Sequence, residues 1–239
     1  MLEIPIWITI VSVVTVLLCI VLLIPMIQKS VENRTQNKAH IAVLMWVLWA
    51  LFQSVLSLNR WYMDRTAGWF HFVFPWFFAA AFGCVLYFTP RGKRWINSLN
   101  NDYHWLVQSA RLPLGIALTA LFAAKQMPQW TSLFPFHLEI ILGVVGLILF
   151  ALKNKMSPRA HLAFHVIFIV ITAITVVHGY GAIPFAHQSW SYTNPNFAFQ
   201  HFPSSLFPAV VYPLLVFIHV QGIFSIVKNS TQHQQDHQG

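Results

Sequence analysis

Long apolar stretches alternate with short polar connections along most of the chain, and seven of the stretches are about twenty residues long. At a rise of about 1.5 Å per residue, a helix of that length crosses the hydrocarbon core of a bilayer. The pattern therefore predicts an all-α fold, a polytopic membrane bundle of seven transmembrane helices. Residues 1–228 form one transmembrane domain in this interpretation, and residues 229–239 form a disordered cytoplasmic tail. The predicted spans are residues 4–27, 40–58, 69–88, 104–124, 132–152, 160–179 and 205–227.

The composition favours a membrane protein over a soluble one. Of the 239 residues, 57% are hydrophobic and 8% are charged, whereas soluble domains carry about 25% charged residues. The net charge of +8 comes from basic clusters between the apolar stretches, so it does not indicate nucleic-acid binding. We expect the lipid bilayer as a partner and no nucleic acid. Cys19 and Cys84 lie within apolar stretches, where we expect packing residues and no disulfide.

The basic residues are divided unequally between the two sets of connections, which predicts an orientation. Ten lie on one side of the predicted membrane and three on the other. By the positive-inside rule, the N-terminus is then outside and the C-terminus is cytoplasmic. A bacterial inner membrane is the expected location. The cytoplasmic set is Lys29, Arg34, Lys38, Arg91, Lys93, Arg94, Lys153, Lys155, Arg159 and Lys228, and the external set is Arg60, Arg65 and Lys125.

The connection at residues 180–204 is longer than the others. It has no charged residue and is rich in aromatic residues, histidine and proline. Because Trp and Tyr favour the membrane interface, we expect this segment to lie along the external interface. The alternative is that it folds over the mouth of the bundle.

Two formal charges fall within the predicted spans, Arg111 in the fourth and Glu139 in the fifth. A charge at the bilayer centre costs about 3 kcal/mol on insertion scales, so such residues usually face the bundle interior and have a partner. The predicted boundaries place the two residues at levels about 12 Å apart, which two extended side chains barely bridge. An alternative for Arg111 is that it extends to the cytoplasmic interface along its apolar stem. Glu139 is shorter, and we expect it to face protein or water.

We predict that Arg111, Glu139 and His219 line a small intramembrane polar core, with His165 nearby. His165 and His219 both belong to the cytoplasmic half of their spans. Their depth and residue type make them the histidines best placed to join Arg111.

Four further histidines are secondary candidates. His161 is four residues from His165 on one helix face, whereas His71 and His178 belong to the outer half. His137 is two residues from Glu139, which corresponds to about 200° on a helix, so we expect His137 to face the rim of the bundle. The secondary candidates are therefore His71, His137, His161 and His178.

Cofactor chemistry is the alternative that these histidines leave open. Axial haem ligands need facing histidines, but His165 and His178 are thirteen residues apart and rotated by about 220°. A metal-dependent hydrolase would need a third ligand at the depth of His161 and His165, and the sequence predicts no metal site. The seventh span has no lysine for a retinal Schiff base. No cofactor is identified from the sequence.

Three stretches of the C-terminal half carry a likeness to known proteins: SARLPLG at 109–115, MPQWTSLFPFHLEIILGVVGLIL at 127–149 and LFPAVVYPLLVFIHVQGI at 206–223. Their order resembles that in a group of uncharacterised bacterial multi-pass membrane proteins. There an arginine helix precedes a proline-bearing external turn, an acidic residue in the next span and a proline-rich last span that ends in histidine. Arg111, Glu139 and His219 fill these places, although Leu138 and Glu139 stand where the group tends to have Gly-Asp. The resemblance implies a membrane bundle and no known activity.

These observations predict a protein that binds or transports a small or lipid-like ligand, or that serves as an accessory subunit. The alternative is a membrane-embedded haem or metal-dependent enzyme.

Overall fold

The computed structural model describes residues 4–28, 36–64, 70–128, 132–133, 136–184 and 195–236. Within these ranges the chain is helical apart from one short antiparallel hairpin, turns and connections. Single 3₁₀ turns and one π-helical turn (Phe207–Val211) lie at the junctions. The helices are α1 (Ile6–Val21), α2 (Leu23–Gln28), α3 (Gln36–Leu58), α4 (Phe70–Phe88), α5 (Pro90–Ser98), α6 (His104–Gln108), α7 (Arg111–Ala123), α8 (Leu138–Leu152), α9 (Pro158–Gly181) and α10 (Tyr212–Asp236), and the hairpin pairs β1 (Ser132–Leu133) with β2 (Phe136–His137).

Four helical segments among the described residues are long and apolar enough to cross a membrane. A fifth candidate is the pair Val73–Phe88 and Pro90–Asn97, whose axes are bent by 92°. The remaining apolar helices, Val43–Leu58 and α8, are shorter than a full span. Each of the seven predicted spans thus has an apolar helix, but four to five of them meet the length of a transmembrane segment. The four long segments are Ile6–Ile27, Asn101–Ala123, Pro158–Gly181 and Phe207–Val227.

The outer surface of the helices is apolar. Leu17 on α1, Phe77 on α4 and Ile148 on α8 each expose half or more of their side chains. An apolar exterior of this extent is unfavourable in water and favourable in lipid. The apolar helices therefore indicate an integral membrane protein.

Parts of several predicted cytoplasmic connections lie together at one end of the described bundle, here called the basic end. Asn100 N–H donates to the Met26 carbonyl at 3.0 Å, and the Gln221 side chain donates to Asn101 at 3.0 Å. Lys153 Nζ is 3.9 Å from an Asp102 carboxylate oxygen. The basic residues Arg91, Lys93, Arg94, Lys153, Lys155 and Arg159 belong to this end.

The other end, here called the opposite end, is closed by the second half of the long connection. Phe197 N–H and Ala198 N–H donate to the Gln126 carbonyl at 2.9 and 3.1 Å, and Asn196 N–H donates to Ala182. Phe199 is fully buried. Residues 195–204 therefore fold over the mouth of the bundle, and the expectation that they lie along the interface is wrong. Residues 185–194 lie outside the described ranges.

Two predicted boundaries differ from the structure. Ser132–Leu133 and Phe136–His137 form the two strands of the hairpin, so the fifth apolar helix begins at Leu138 rather than at 132. The backbone of α10 continues to Asp236, so residues 229–236 are helical where the sequence predicted disorder; this stretch has no Pro or Gly to end the helix.

Proline shapes the start of α10. Pro213 has no N–H to donate to the carbonyl of Ala209, its i−4 acceptor. The Trp49 indole N–H on α3 donates to that carbonyl at 3.0 Å instead. A side chain from another helix thus satisfies the backbone group that the proline leaves free.

Glycines bring α7 and α8 into close contact. A Cβ atom at Gly115 would lie 2.5 Å from the Ile140 backbone nitrogen, and one at Gly143 would lie 2.6 Å from the Leu112 backbone nitrogen. Such distances exclude any side chain, as expected where helix backbones approach closely in a membrane. The contact fixes the level of Arg111 relative to Glu139.

Gly143→Ala is expected to destabilise the protein because the added methyl group meets backbone that can move only with its helix. Overpacking of this kind costs about 1–3 kcal/mol. Gly83→Ala on α4 is the matched control, since no atom lies within 4 Å of its Cβ position. Thermal unfolding in detergent should show a lower midpoint for Gly143→Ala and an unchanged or higher one for Gly83→Ala. Equal midpoints would contradict the close approach of α7 and α8.

Candidate functional site: a buried ion pair beside a histidine cluster

Arg111 and Glu139 form an ion pair inside the bundle. Arg111 Nη1 lies 2.5 Å from Glu139 Oε2, and both side chains are 0% exposed. Arg111 does not extend to the interface, so that alternative is wrong. The structure brings together the two charges that the sequence places within the spans.

The register of α7 and α8 closes the 12 Å separation that the predicted boundaries implied. Gly143 lies beside the backbone of Arg111 and Leu112. Glu139 is four residues before Gly143, which is about 6 Å along the helix axis. One extended arginine side chain spans that distance. The expected separation was too large because it assumed that the fifth helix crosses the full hydrocarbon core, whereas α8 has 15 residues and is about 22 Å long.

The other donors of Arg111 tie the pair to two further helices. Arg111 Nε donates to Gln108 Oε1 on α6 at 2.8 Å, and Nη2 donates to Thr172 Oγ1 on α9 at 2.6 Å. The guanidinium also lies over the Phe168 ring, 5.5 Å from its centroid. A buried guanidinium needs partners in several directions, and these contacts supply them.

Glu139 lies in the first turn of α8, where the partial positive charge of the helix N-terminus favours a carboxylate. The Tyr212 hydroxyl is buried beside this carboxylate and interacts with it. The Cys19 thiol on α1 lies within electrostatic reach of both members of the pair. Helices α1, α6, α7, α8, α9 and α10 therefore all contribute to the surroundings of the pair.

His137 is part of this core, contrary to the expectation that it faces the rim. It is 1% exposed, and its Nδ1 accepts a hydrogen bond from Glu139 N–H at 3.2 Å. The rotation of about 200° assumed that both residues belong to the helix, but His137 is the N-cap residue with extended backbone angles. A cap side chain turns back toward the first helical turn.

Three histidines form a cluster, here called the histidine cluster, on the side of the pair that faces the basic end. His165 Nδ1 lies 2.9 Å from His219 Nδ1. The rings of His104 and His165 meet edge to face, with centroids 5.8 Å apart. Because each neutral imidazole has one donor and one acceptor nitrogen, one Nδ1 of the bonded pair carries its proton and the other does not.

Phe168 separates the histidine cluster from the ion pair. Its ring centroid lies 5.3 Å from that of His219, and the Arg111 guanidinium packs on the same ring. One aromatic ring thus stands between the imidazole of His219 and the charge of Arg111.

A cavity of about 160 Å³ reaches the histidine cluster from the basic end. Its position depends on Gly222, since a Cβ atom there would lie 2.4 Å from His165 Nε2. Trp105 forms one wall, stacking on His165 with centroids 4.3 Å apart and donating to His161 Nδ1 at 2.9 Å. The cavity is lined by Asn101, Asp102, His104, Trp105, Lys153, His161, His165, Gly222, Ser225 and Ile226.

Several polar atoms around the pair and the cluster are buried without a hydrogen-bond partner in the described part of the chain. A buried polar atom in this condition costs about 1–3 kcal/mol. These atoms include Gln108 Nε2 and His219 Nε2.

The remaining secondary candidates lie elsewhere. His161 lines the cavity and contacts the Lys153 carbonyl at 3.1 Å. His71 is buried against the Trp61 ring near the opposite end, and the His178 ring bonds to the Ile174 carbonyl of its own helix. Neither His71 nor His178 joins the polar core.

Sequence reasoning missed His104, Gln108, Thr172 and Tyr212. A periodic signal was available: His104, Gln108 and Arg111 follow the i, i+4, i+7 spacing of one helix face, and Thr172 and Tyr212 each lie seven residues from a histidine of the cluster. Uncharged polar residues are a weaker signal in a span than charged ones, although they can belong to the same polar helix face.

In the described residues, no group of three or more His, Cys, Asp or Glu side chains has a geometry that could hold a metal ion. The Nδ1 atoms of His165 and His219 face each other rather than a common centre. No known protein family, curated protein or solved structure matches this chain.

A double-mutant cycle on Arg111→Met and Glu139→Gln should reveal strong coupling. Removing one partner leaves a buried charge uncompensated and costs about 3–5 kcal/mol, whereas removing both leaves no such charge. The double variant should therefore be more stable than the sum of the single effects implies, as measured by thermal or denaturant unfolding in detergent.

The control cycle uses Lys153→Met and Asp102→Asn. This pair is 3.9 Å apart and partly exposed, so its coupling should stay below about 1 kcal/mol. Additive effects for Arg111 and Glu139 would refute the pairing.

Proposed function

We propose that the chain is a seven-span integral protein of the bacterial inner membrane, with its N-terminus outside and its C-terminus in the cytoplasm. The apolar exterior of α1, α4 and α8 supports burial in lipid. The concentration of basic residues at one end supports the orientation. The two short apolar helices, Val43–Leu58 and α8, complete seven spans if the bilayer thins locally around them.

We also propose that the polar core binds or transports a small hydrogen-bonding ligand that enters from the basic end. The observation that carries this proposal is the cavity of about 160 Å³ whose inner wall is His104 and His165. From that wall, His165 bonds to His219, and Phe168 links His219 to Arg111. A chain of side-chain contacts therefore leads from the cavity through His165 and His219 to the Phe168 ring, which packs on Arg111.

The size of the cavity limits the ligand. Liquid water occupies about 30 Å³ per molecule, so this volume corresponds to about five waters. A small carboxylate, a phosphate or an amino acid of minimal size matches it, and a lipid chain does not. The sequence predicted either a small ligand or a lipid-like one, and this cavity suits the small ligand better.

The ion pair fits a binding role better than a purely structural one. Replacing a buried ion pair by apolar residues is often neutral or stabilising, so packing alone does not require it. An ionisable pair in a membrane bundle more commonly belongs to a path for ions, protons or substrates. A ligand or a proton that reaches Glu139 would compete for Arg111 and weaken the link between α7 and α8.

Cysteine labelling tests both the orientation and the cavity. In a Cys84→Ser background, which removes the exposed thiol and keeps the buried Cys19, Ser225→Cys places a thiol at the cavity. We expect a membrane-impermeant methanethiosulfonate to modify it in inside-out vesicles and not in right-side-out ones. Asn59→Cys at the opposite end should show the reverse.

Ile148→Cys on the outward apolar face of α8 is the control for lipid exposure and should react slowly in both vesicle types, because a thiolate forms poorly in lipid. Inorganic phosphate, acetate and glycine are the probe solutes. At least one should slow the labelling of Ser225→Cys in a saturable manner. Labelling as slow as that of Ile148→Cys would refute an aqueous cavity, and labelling that no probe slows would refute a small-ligand site there.

A further inference from the structure

Helix α5 turns sharply away from α4 at the basic end. The Thr89 hydroxyl accepts from Gly92 N–H at 3.0 Å, Pro90 begins the new helix, and the two axes differ by 92°. Gly92 makes the fold-back possible, because a Cβ atom there would lie 2.4 Å from the Leu86 carbonyl oxygen. Helix α5 therefore lies across the end of the bundle rather than extending α4.

The turn creates a groove of about 730 Å³ between α3, α4 and α5, here called the α4–α5 groove. Apolar side chains of α3 and α4 form its wall, and two arginines of α5 form its rim. No acidic residue is among those that line it. The lining residues are Met45, Phe82, Val85, Leu86, Thr89, Pro90, Arg91, Gly92, Arg94 and Trp95.

The two rim arginines keep their positive charge unopposed in the described part of the chain. Asp102, an acidic residue at this end whose side chain the structure describes, lies 3.9 Å from Lys153. Arg91 and Arg94 are exposed and take part in no described ion pair. Guanidinium groups bind phosphate through paired N–H donors, so the rim suits a phosphate group.

The apolar wall of the α4–α5 groove favours a phospholipid over a free phosphate ion. Met45 and Val85 are 41% and 59% exposed, and they continue the apolar exterior of the bundle. A free phosphate ion would gain nothing from such a wall. A phospholipid places its acyl chains against the apolar surface and its phosphate at the level of the basic residues.

We propose that the α4–α5 groove binds an anionic phospholipid, with Arg91 and Arg94 contacting its phosphate and Phe82, Val85 and Leu86 contacting its acyl chains. The inference rests on the membrane orientation given under the proposed function, and it concerns a surface separate from the cavity and the ion pair. The bound lipid would hold α5 at the membrane surface.

Native mass spectrometry of the detergent-purified full chain tests this site. Phosphatidylglycerol is titrated against wild type, an Arg91→Gln/Arg94→Gln variant and a Lys155→Gln/Arg159→Gln variant. The control variant loses the same charge at the same end but outside the groove. Groove substitutions should weaken phosphatidylglycerol binding by about tenfold or more, and the control should stay within about twofold of wild type.

Two further measurements distinguish phospholipid binding in the groove from binding of phosphate alone. Val85→Trp, which fills the groove, should also weaken phosphatidylglycerol binding, and inorganic phosphate should not displace the lipid. Equal losses in the two charge variants would show attraction to general surface charge and overturn the proposal. Wild-type binding of phosphatidylcholine as tight as that of phosphatidylglycerol, or displacement by inorganic phosphate, would also overturn it.

The outcome is independent of the small-ligand proposal. The Arg91→Gln/Arg94→Gln substitutions lie outside the cavity, so the labelling of Ser225→Cys should be unchanged in their presence. If Ser225→Cys is not labelled in a protein that still binds phosphatidylglycerol more tightly than phosphatidylcholine, the cavity proposal fails and the lipid proposal stands.

Discussion

A guanidinium and a carboxylate 2.5 Å apart with no exposed surface must be sheltered from lipid and supplied with partners on every side. Most of the bundle contributes to that requirement. Gly115 and Gly143 bring α7 and α8 close enough for the charges to meet. Gln108 and Thr172 accept hydrogen bonds from two further N–H groups of Arg111. The pair is therefore a constraint on helix register as well as a local contact, because a shift of one turn, about 5.4 Å, would separate the charges.

The polarity of the core extends in one direction. From Arg111 the side-chain contacts pass across the apolar Phe168 ring to His219 and His165, and from there to the cavity at the basic end. Toward the opposite end, residues 195–204 close the bundle with backbone hydrogen bonds to Gln126 and Ala182. In the described residues, a polar cavity lies at the basic end and residues 195–204 cover the opposite end. The α4–α5 groove lies at the same end but on the outer apolar surface, so the lipid proposed for the groove and the small ligand proposed for the cavity would occupy separate sites.

The apolar pattern was enough to predict the apolar helices and the buried polar residues between them, because charged residues are rare in such helices. Arg111, Glu139, His165 and His219 were predicted together and lie together. The detailed geometry depends on features that hydropathy does not carry. His137 was assigned to the rim because the helix start at Leu138 was unknown. The separation between Arg111 and Glu139 was overestimated because the register set by Gly115 and Gly143 is a property of two helices, not of one. His104 and Gln108 are predicted only when the i, i+4, i+7 spacing of one helix face is extended from Arg111 toward the N-terminus. The number of transmembrane spans also depends on exact helix lengths. Helix α8 has 15 residues and is shorter than the predicted span at 132–152.

Solid-state NMR on the full chain in liposomes gives the most direct view of the two charges. With ¹⁵N-labelled arginine and ¹³C-labelled glutamate, the glutamate signals come from Glu3, Glu32 and Glu139, and Glu139→Gln identifies the relevant one. Direct contact predicts a dipolar coupling between an Arg111 guanidinium nitrogen and the Glu139 carboxyl carbon that corresponds to about 3–4 Å. A Glu139 carboxyl signal with no arginine nitrogen within about 6 Å would contradict the buried ion pair.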